Sequence, residues 1–138
     1  MKKIVALILA LSMAFAMCGC GSSREKELLC SGVWAKVTRS DPSWSVDSYE
    51  FSTNGKFVYT RVFAGIITNV TELKGSYKID TTNKQIVLKY DKTDERESYT
   101  VEIPYAINEY THEFIFHVDS NGGTKWGNYP SLDSVPTP

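Results

Sequence analysis

The chain has 138 residues, of which 42% are hydrophobic, 22% charged and 12% aromatic, and its formal net charge is -1. This length suits one small globular domain, and the aromatic fraction together with short runs of Val, Ile and Thr favours β structure. The charges are scattered and nearly balanced, which excludes a strongly basic nucleic-acid-binding surface. We therefore expect one all-β domain that has no nucleic-acid partner.

The N-terminus has the pattern of an export signal. Two lysines precede an apolar segment, residues 4–17, that is shorter than a membrane-spanning helix requires. A segment of small residues with two cysteines, Cys18 and Cys20, follows at once. We expect residues 1–19 to be removed during export.

The end of this signal resembles the lipobox of bacterial lipoproteins, in which a cysteine after a small residue receives a diacylglycerol and becomes the mature N-terminus. Cys20, preceded by Gly19, matches the pattern best, and Cys18 is the alternative. The resemblance implies a lipid anchor of the palmitate type at Cys20 and a position on the extracytoplasmic face of the cell membrane. Residues 20–27 are then a short tether between membrane and fold. An ordinary secretory signal is the other interpretation.

The first predicted strand, residues 28–38, carries Gly32 and Trp34. Alternation does not show which face of this strand is buried, because Trp34 shares a face with Lys36 while three aliphatic residues share the other. The sequence therefore does not assign the buried face of this strand.

Alternating segments separated by tight turns follow the first strand. Asn54 and Gly55 both tolerate positive φ, and they predict a hairpin between residues 48–52 and 56–63. Residues 39–46 and 91–97 are predicted loops, residues 66–74 are irregular, and the proline-rich residues 130–138 are a flexible tail. Further strands are predicted at residues 75–80, 85–90, 99–105 and 112–118, with a short last strand around Lys125 and Trp126.

About eight short strands of this kind favour an antiparallel up-and-down meander that closes into a barrel over residues 28–129, because closure removes exposed sheet edges. The segment Gly32-Val33-Trp34 matches the Gly-x-Trp pattern of lipocalins, and residues 49–57, 75–79 and 85–88 resemble the lipocalin-like domains of bacterial lipoproteins. The resemblance implies that a small apolar or amphipathic molecule binds inside the barrel. Gly32 and Trp34 are expected to close one end of the barrel, which places any ligand at the other end.

The predicted inward face is bulky and aromatic, and this bulk favours a barrel filled by its own side chains. Its buried tyrosine hydroxyls need partners, at a cost of about 1–3 kcal/mol for each one left unpaired. Tyr59, Tyr77 and Tyr99 with Arg61 either satisfy one another or converge on the polar end of a ligand, and these four are the predicted ligand-binding residues. The alternative function is a surface interaction or inhibitor module, with a filled barrel and binding loops that include Trp44 and residues 91–97.

No pattern in the sequence predicts catalysis, a metal site or a cofactor. His112 and His117 lie five apart, so on one strand they point to opposite faces and cannot share a metal. The carboxylates of residues 91–97 lie in a charged loop, whereas general acid–base chemistry would need burial. Cys30 is the one cysteine left after lipid attachment and export, and we interpret it as a small buried hydrophobe. We expect a binding protein and not an enzyme.

Overall fold

A computed structural model describes residues 23–118 and 126–138 of the chain. The predicted signal, Cys18, Cys20 and Lys125 lie outside the described residues. Within them the fold is almost entirely antiparallel β, and its helical elements are α1 (Ser23–Leu29) and a 3-10 turn at Leu132–Ser134. The prediction of an antiparallel, mostly β fold is confirmed.

Eight strands form a single curled sheet. They are β1 (Val33–Ser40), β2 (Ser43–Phe51), β3 (Lys56–Ala64), β4 (Thr68–Asp80), β5 (Gln85–Tyr90), β6 (Tyr99–Ile107), β7 (Phe114–Phe116) and β8 (Gly127–Tyr129). The spatial order is β7-β6-β5-β4-β3-β2-β1-β8, so β1 to β7 form an up-and-down meander and β8 pairs with the outer edge of β1.

The expected closed barrel is present only as a half-barrel. Among the residues described, β7 pairs with β6 and β8 pairs with β1, and no backbone ladder joins β7 to β8. Side chains bridge this gap, because the ring of Trp34 on β1 lies 5.4 Å from that of Phe114 and 5.5 Å from that of Phe116 on β7. Among the described residues, aromatic packing therefore connects the two sides of the half-barrel at a place that has no backbone ladder.

Helix α1 lies at this open side and packs into the core. Leu29 at its end is completely buried, and its carbonyl accepts a hydrogen bond from Trp34 Nε1 at 2.9 Å. Glu25 accepts a hydrogen bond from the Tyr105 hydroxyl and forms an ion pair with Lys84 at 3.2 Å. The helix is thus attached to β1 and β6 and to the residue that precedes β5.

Two predicted segments next to β1 differ from the structure. Residues 23–27, expected to be part of a short tether, belong to α1, because Glu25 and Leu29 find partners within the half-barrel. The first strand accordingly begins at Val33 instead of residue 28. The fold starts with a packed helix.

Strand β1 is buried on both faces, which explains why alternation could not assign its inner side. Trp34 points into the main aromatic core, while Ala35 packs on the outer face against Val46 and Val135. Residues 130–138, predicted as a flexible tail, therefore contribute Val135 to a second buried cluster. The C-terminal segment covers the outside of β1 and β2.

Strand β4 begins earlier than the sequence pattern predicts. Its first residues, from Thr68, continue the ladder with β3 although the stretch was expected to be irregular. Strand β5 joins β4 only from Gly75 onward, so the earlier part of β4 extends beyond β5. We call residues 65–74, which are the β3–β4 turn and this first half of β4, the overhang.

Candidate functional site

A cavity of about 530 Å³ opens between β3, β4 and the loop that joins β5 to β6. Its wall combines four tyrosines, one leucine and two arginines with two carboxylates and two threonines. Those residues are Tyr49, Tyr59, Tyr90, Tyr99, Leu73, Arg61, Arg96, Asp91, Glu95, Thr71 and Thr93. The volume lies within the range of about 300–1,000 Å³ that is usual for small-molecule sites.

Tyr49 forms the floor where the cavity meets the core. Its ring lies 5.0 Å from that of Tyr59 and 5.5 Å from that of Phe116, and its hydroxyl is 3.2 Å from the hydroxyl of Tyr90. Burial raises the pKa of both Tyr49 and Tyr90 above the ordinary tyrosine value. Both phenols therefore stay neutral at physiological pH and keep their hydrogen-bonding protons.

One wall of the cavity is organised by Asp47, which lies opposite Arg61 in the β2–β3 ladder. The Tyr59 hydroxyl donates to Asp47 Oδ1 at 2.5 Å, and Arg61 Nε lies 3.8 Å from the same oxygen. Burial and this hydrogen bond raise the pKa of Tyr59. The Arg61 side chain is 54% exposed, so much of its guanidinium faces solvent at the rim.

The facing wall is a stack of three side chains. The Tyr90 and Tyr99 rings lie 4.5 Å apart and nearly parallel, and the Arg96 guanidinium sits 5.4 Å from the centre of the Tyr99 ring. Thr93 and Arg96 exchange backbone hydrogen bonds of 2.8 and 3.4 Å, which closes the loop into a tight turn. Arg96 forms no ion pair with a carboxylate in the part of the chain that the structure describes.

Three of the four predicted ligand-binding residues, Tyr59, Arg61 and Tyr99, line this cavity. Tyr77 does not. Its hydroxyl donates to the Ser52 carbonyl at 2.7 Å and lies 3.2 Å from the Sγ atom of Cys30, which is half-buried. The Tyr77 hydroxyl therefore has its hydrogen-bond partners inside the protein, and the structure does not bring Tyr77 together with the other three residues.

The remaining lining residues were missed from sequence for different reasons. Tyr90 ends the inward alternation of β5, and this pattern was available to identify it. Leu73 belongs to the part of β4 that was expected to be irregular. Arg96 lies in a loop, where periodicity gives no direction for a side chain.

Gly32 and Trp34 lie away from the cavity. Trp34 contacts β7 and α1, and it does not line the cavity wall. A Cβ atom at position 32 would collide with the Asn128 side chain and the Tyr129 carbonyl, so Gly32 permits the close approach of β8. These two residues therefore lie where α1 and β8 meet β1.

The two predicted partner-binding regions have different environments. Trp44, expected in a loop, lies in β2 because the β1–β2 turn is confined to Asp41 and Pro42. It is half-buried against the outer cluster that contains Val135. Residues 91–97 are exposed and form one side of the cavity entrance.

The described residues have neither a cluster of metal ligands nor a membrane-spanning helix. No group of three or more His, Cys, Asp or Glu side chains in residues 23–118 and 126–138 has the arrangement of a metal site. Within the same residues, no helix has the length and hydropathy needed to cross a bilayer.

No protein-family model, curated protein or solved structure matches this chain. The function must therefore be argued from the cavity and the surface of this fold.

Proposed function

We propose that this protein is a lipid-anchored, lipocalin-like domain on the extracytoplasmic face of a bacterial membrane, where it binds a small amphipathic molecule. The observation that carries the binding proposal is the cavity of about 530 Å³, whose floor belongs to the aromatic core and whose rim carries two arginines. The anchor proposal rests on the export pattern and the cysteine at position 20. No chemical reaction is part of the proposal.

The cavity lining supports an amphipathic occupant. An apolar or aromatic part of the ligand would contact Tyr49, Tyr59 and Leu73, whose rings and methyl groups favour such surfaces. A polar or anionic group at the mouth would meet Arg61 or Arg96, and guanidinium groups bind carboxylates and phosphates with strong hydrogen bonds. A purely apolar ligand would make no use of the two guanidinium groups at the rim.

Calorimetric titration of the purified full-length protein with 8-anilinonaphthalene-1-sulfonate tests the binding site. This probe combines fused and single aromatic rings with one anionic group. We expect saturable binding that Leu73→Trp weakens, because the larger ring would occupy part of the cavity. Lys78→Trp on the exposed part of the same strand is the matched control and should bind as the wild type does. Equal affinity in the Leu73→Trp variant would refute the cavity as the binding site.

Replacement of Cys20 by Ser tests the anchor. We expect the variant to move from the membrane fraction to the soluble extracytoplasmic fraction and to lose incorporation of labelled palmitate. Cys18→Ser is the matched control and should remain membrane-bound. If the Cys20→Ser protein keeps both its label and its membrane location, Cys20 is not the site of attachment.

A second function, a surface interaction module, is favoured by the overhang. Ile66 is fully exposed, Ile67 is 76% exposed and Val70 is 61% exposed. Adjacent exposed apolar side chains of this kind mark interaction sites in soluble domains. Cavity binding and interaction through the overhang are compatible, because the two share only the Thr71 and Leu73 side chains of β4.

A further inference from the structure

The first half of β4 has one unpaired backbone edge. On one side it pairs with β3 from Thr68 onward, whereas the ladder with β5 starts only at Gly75. The Asp91 N–H donates to the Lys74 carbonyl at 2.9 Å just before that ladder. Within the described residues, the backbone from Thr68 to Leu73 has no strand beside it on the β5 side.

The backbone groups along this edge point outward in a regular pattern. Because the Lys74 carbonyl is directed toward β5, the alternation of a strand directs the N–H and C=O groups of Thr68, Val70 and Glu72 the same way. Thr71, between them, directs its backbone groups toward β3, where it faces Arg61 in the ladder. The edge thus presents a short row of donors and acceptors ready for another strand.

The side chains along the edge do not protect it. Natural sheets block exposed edges with charges, prolines, bulges or covering loops. Between Thr68 and Leu73 the one charged residue is Glu72, whose carboxylate is 3.5 Å from Lys74 Nζ and is therefore compensated within the same strand. Val70 and the isoleucines of the turn add apolar surface beside the free backbone groups.

We infer that a second copy of this chain docks on this edge, by antiparallel pairing of the two β4 overhangs about a two-fold axis at Val70. In this register Val70 faces Val70 of the second copy, and Glu72 faces Thr68 of the second copy. All of these positions have outward backbone groups, as the hydrogen-bonded pairs of an antiparallel ladder require. The edge is complementary to itself, which is the condition for a closed two-fold interface.

The charges and apolar groups fit the same register. The two Glu72 carboxylates lie on opposite sides of the axis, each beside a threonine, so no like charges face each other across the interface. Ile67 comes opposite Leu73 of the second copy, and cross-strand apolar pairs of this type stabilise sheets. The most exposed apolar part of the molecule is thereby covered by an identical surface, and the two half-barrels become one continuous sheet.

Disulfide cross-linking in cells that express the full chain tests this pairing. Val70→Cys is introduced together with Cys30→Ser, and the cells are treated with a mild oxidant. Directly paired residues of this kind have Cα atoms about 5.5 Å apart, a distance that a disulfide spans. We expect a covalent homodimer on non-reducing gels, several-fold more abundant than with Ile115→Cys, an exposed position on β7, in the same background. The Cys30→Ser chain without a new cysteine reports any cross-linking through Cys18 or Cys20.

Val70→Lys gives an independent measurement, because two ammonium groups would face each other at the axis. Light scattering of the purified full-length protein in detergent should give a dimer mass for the wild type and for Ile115→Lys, and a monomer mass for Val70→Lys. The inference is overturned if Val70→Cys cross-links no more than Ile115→Cys, or if Val70→Lys keeps the wild-type mass. Cross-linking of Val70→Cys to a protein of a different mass would also overturn it and would identify a foreign partner.

Discussion

Strand β1 and the β4 overhang are both strands of the same sheet, but their environments are opposite. From Val33 to Ala35 the first strand is buried on both faces, whereas residues 65–72 are exposed on both faces. The cover of β1 comes from α1, β7 and the C-terminal segment, which are remote from one another in the chain. A strand that lacks such cover depends on another molecule to bury its apolar side chains.

Trp34→Ala is expected to have the largest effect, because it removes the ring that connects β1 to β7 and to α1. Truncation of a buried large aromatic residue costs about 3–5 kcal/mol, a large part of the stability of a small domain. Urea denaturation followed by far-ultraviolet circular dichroism measures the loss. A loss below about 1 kcal/mol would show that the aromatic bridge does not hold the half-barrel together.

Val135→Ala tests the outer cover of β1. Val135 packs with Ala35 and Val46, and removal of two buried methyl groups should lower the free energy of unfolding by about 1.5 kcal/mol. Thr137→Ala, in the exposed end of the same segment, is the matched control and should leave stability unchanged. If the two variants are equally stable, the C-terminal segment contributes nothing to the burial of β1.

The next largest effect on stability is expected at high pH, where tyrosines of the unfolded chain ionise. Burial raises the pKa of Tyr90 far above the ordinary value near 10, so the folded state keeps its phenol neutral while the unfolded chain ionises. Stability is therefore fully present below pH 10 and falls above it, by about 1.4 kcal/mol at pH 11 from Tyr90 alone. Urea midpoints at pH 8 and pH 11 measure this loss, and Tyr90→Phe should reduce it. Tyr110→Phe, which removes a fully solvated phenol, should leave it unchanged.

The part of the fold that the sequence predicts well is the part with one buried face. Strand β5 has the predicted bounds, and the turn at Asn54 and Gly55 joins β2 to β3, because alternation and turn chemistry are local signals. Both faces of β1 are buried and both faces of the overhang are exposed, so neither segment shows an alternation of apolar and polar residues. The extent of helix α1 was not predicted, because its ordering depends in part on the contact between Glu25 and Tyr105, which lies far along the chain.

The cavity was predictable only in part, for a related reason. Tyr59, Arg61 and Tyr99 share inward faces of β3 and β6, which strand parity alone indicates. Tyr77 also points inward, but its hydroxyl reaches the Ser52 carbonyl, and this contact depends on how far along the strand the residue lies. Alternation along a strand shows on which face a side chain lies. Its height along the half-barrel depends instead on the register between neighbouring strands.

The smallest effect on stability is expected in the overhang, and this result would complete the contrast with β1. Ile66→Ser combined with Ile67→Ser changes two side chains that have almost no contact to lose within one chain, so the free energy of unfolding of the monomer should change by less than about 0.5 kcal/mol. The same double variant should have a lower dimer fraction in light scattering, because Ile67 would no longer cover Leu73 of the second copy. A loss of more than about 1 kcal/mol from a monomeric sample would mean that the isoleucines are buried within one chain. The apolar residues of the overhang would then be buried within one chain, as those of β1 are. An unchanged free energy of unfolding would instead support a role of the overhang in association.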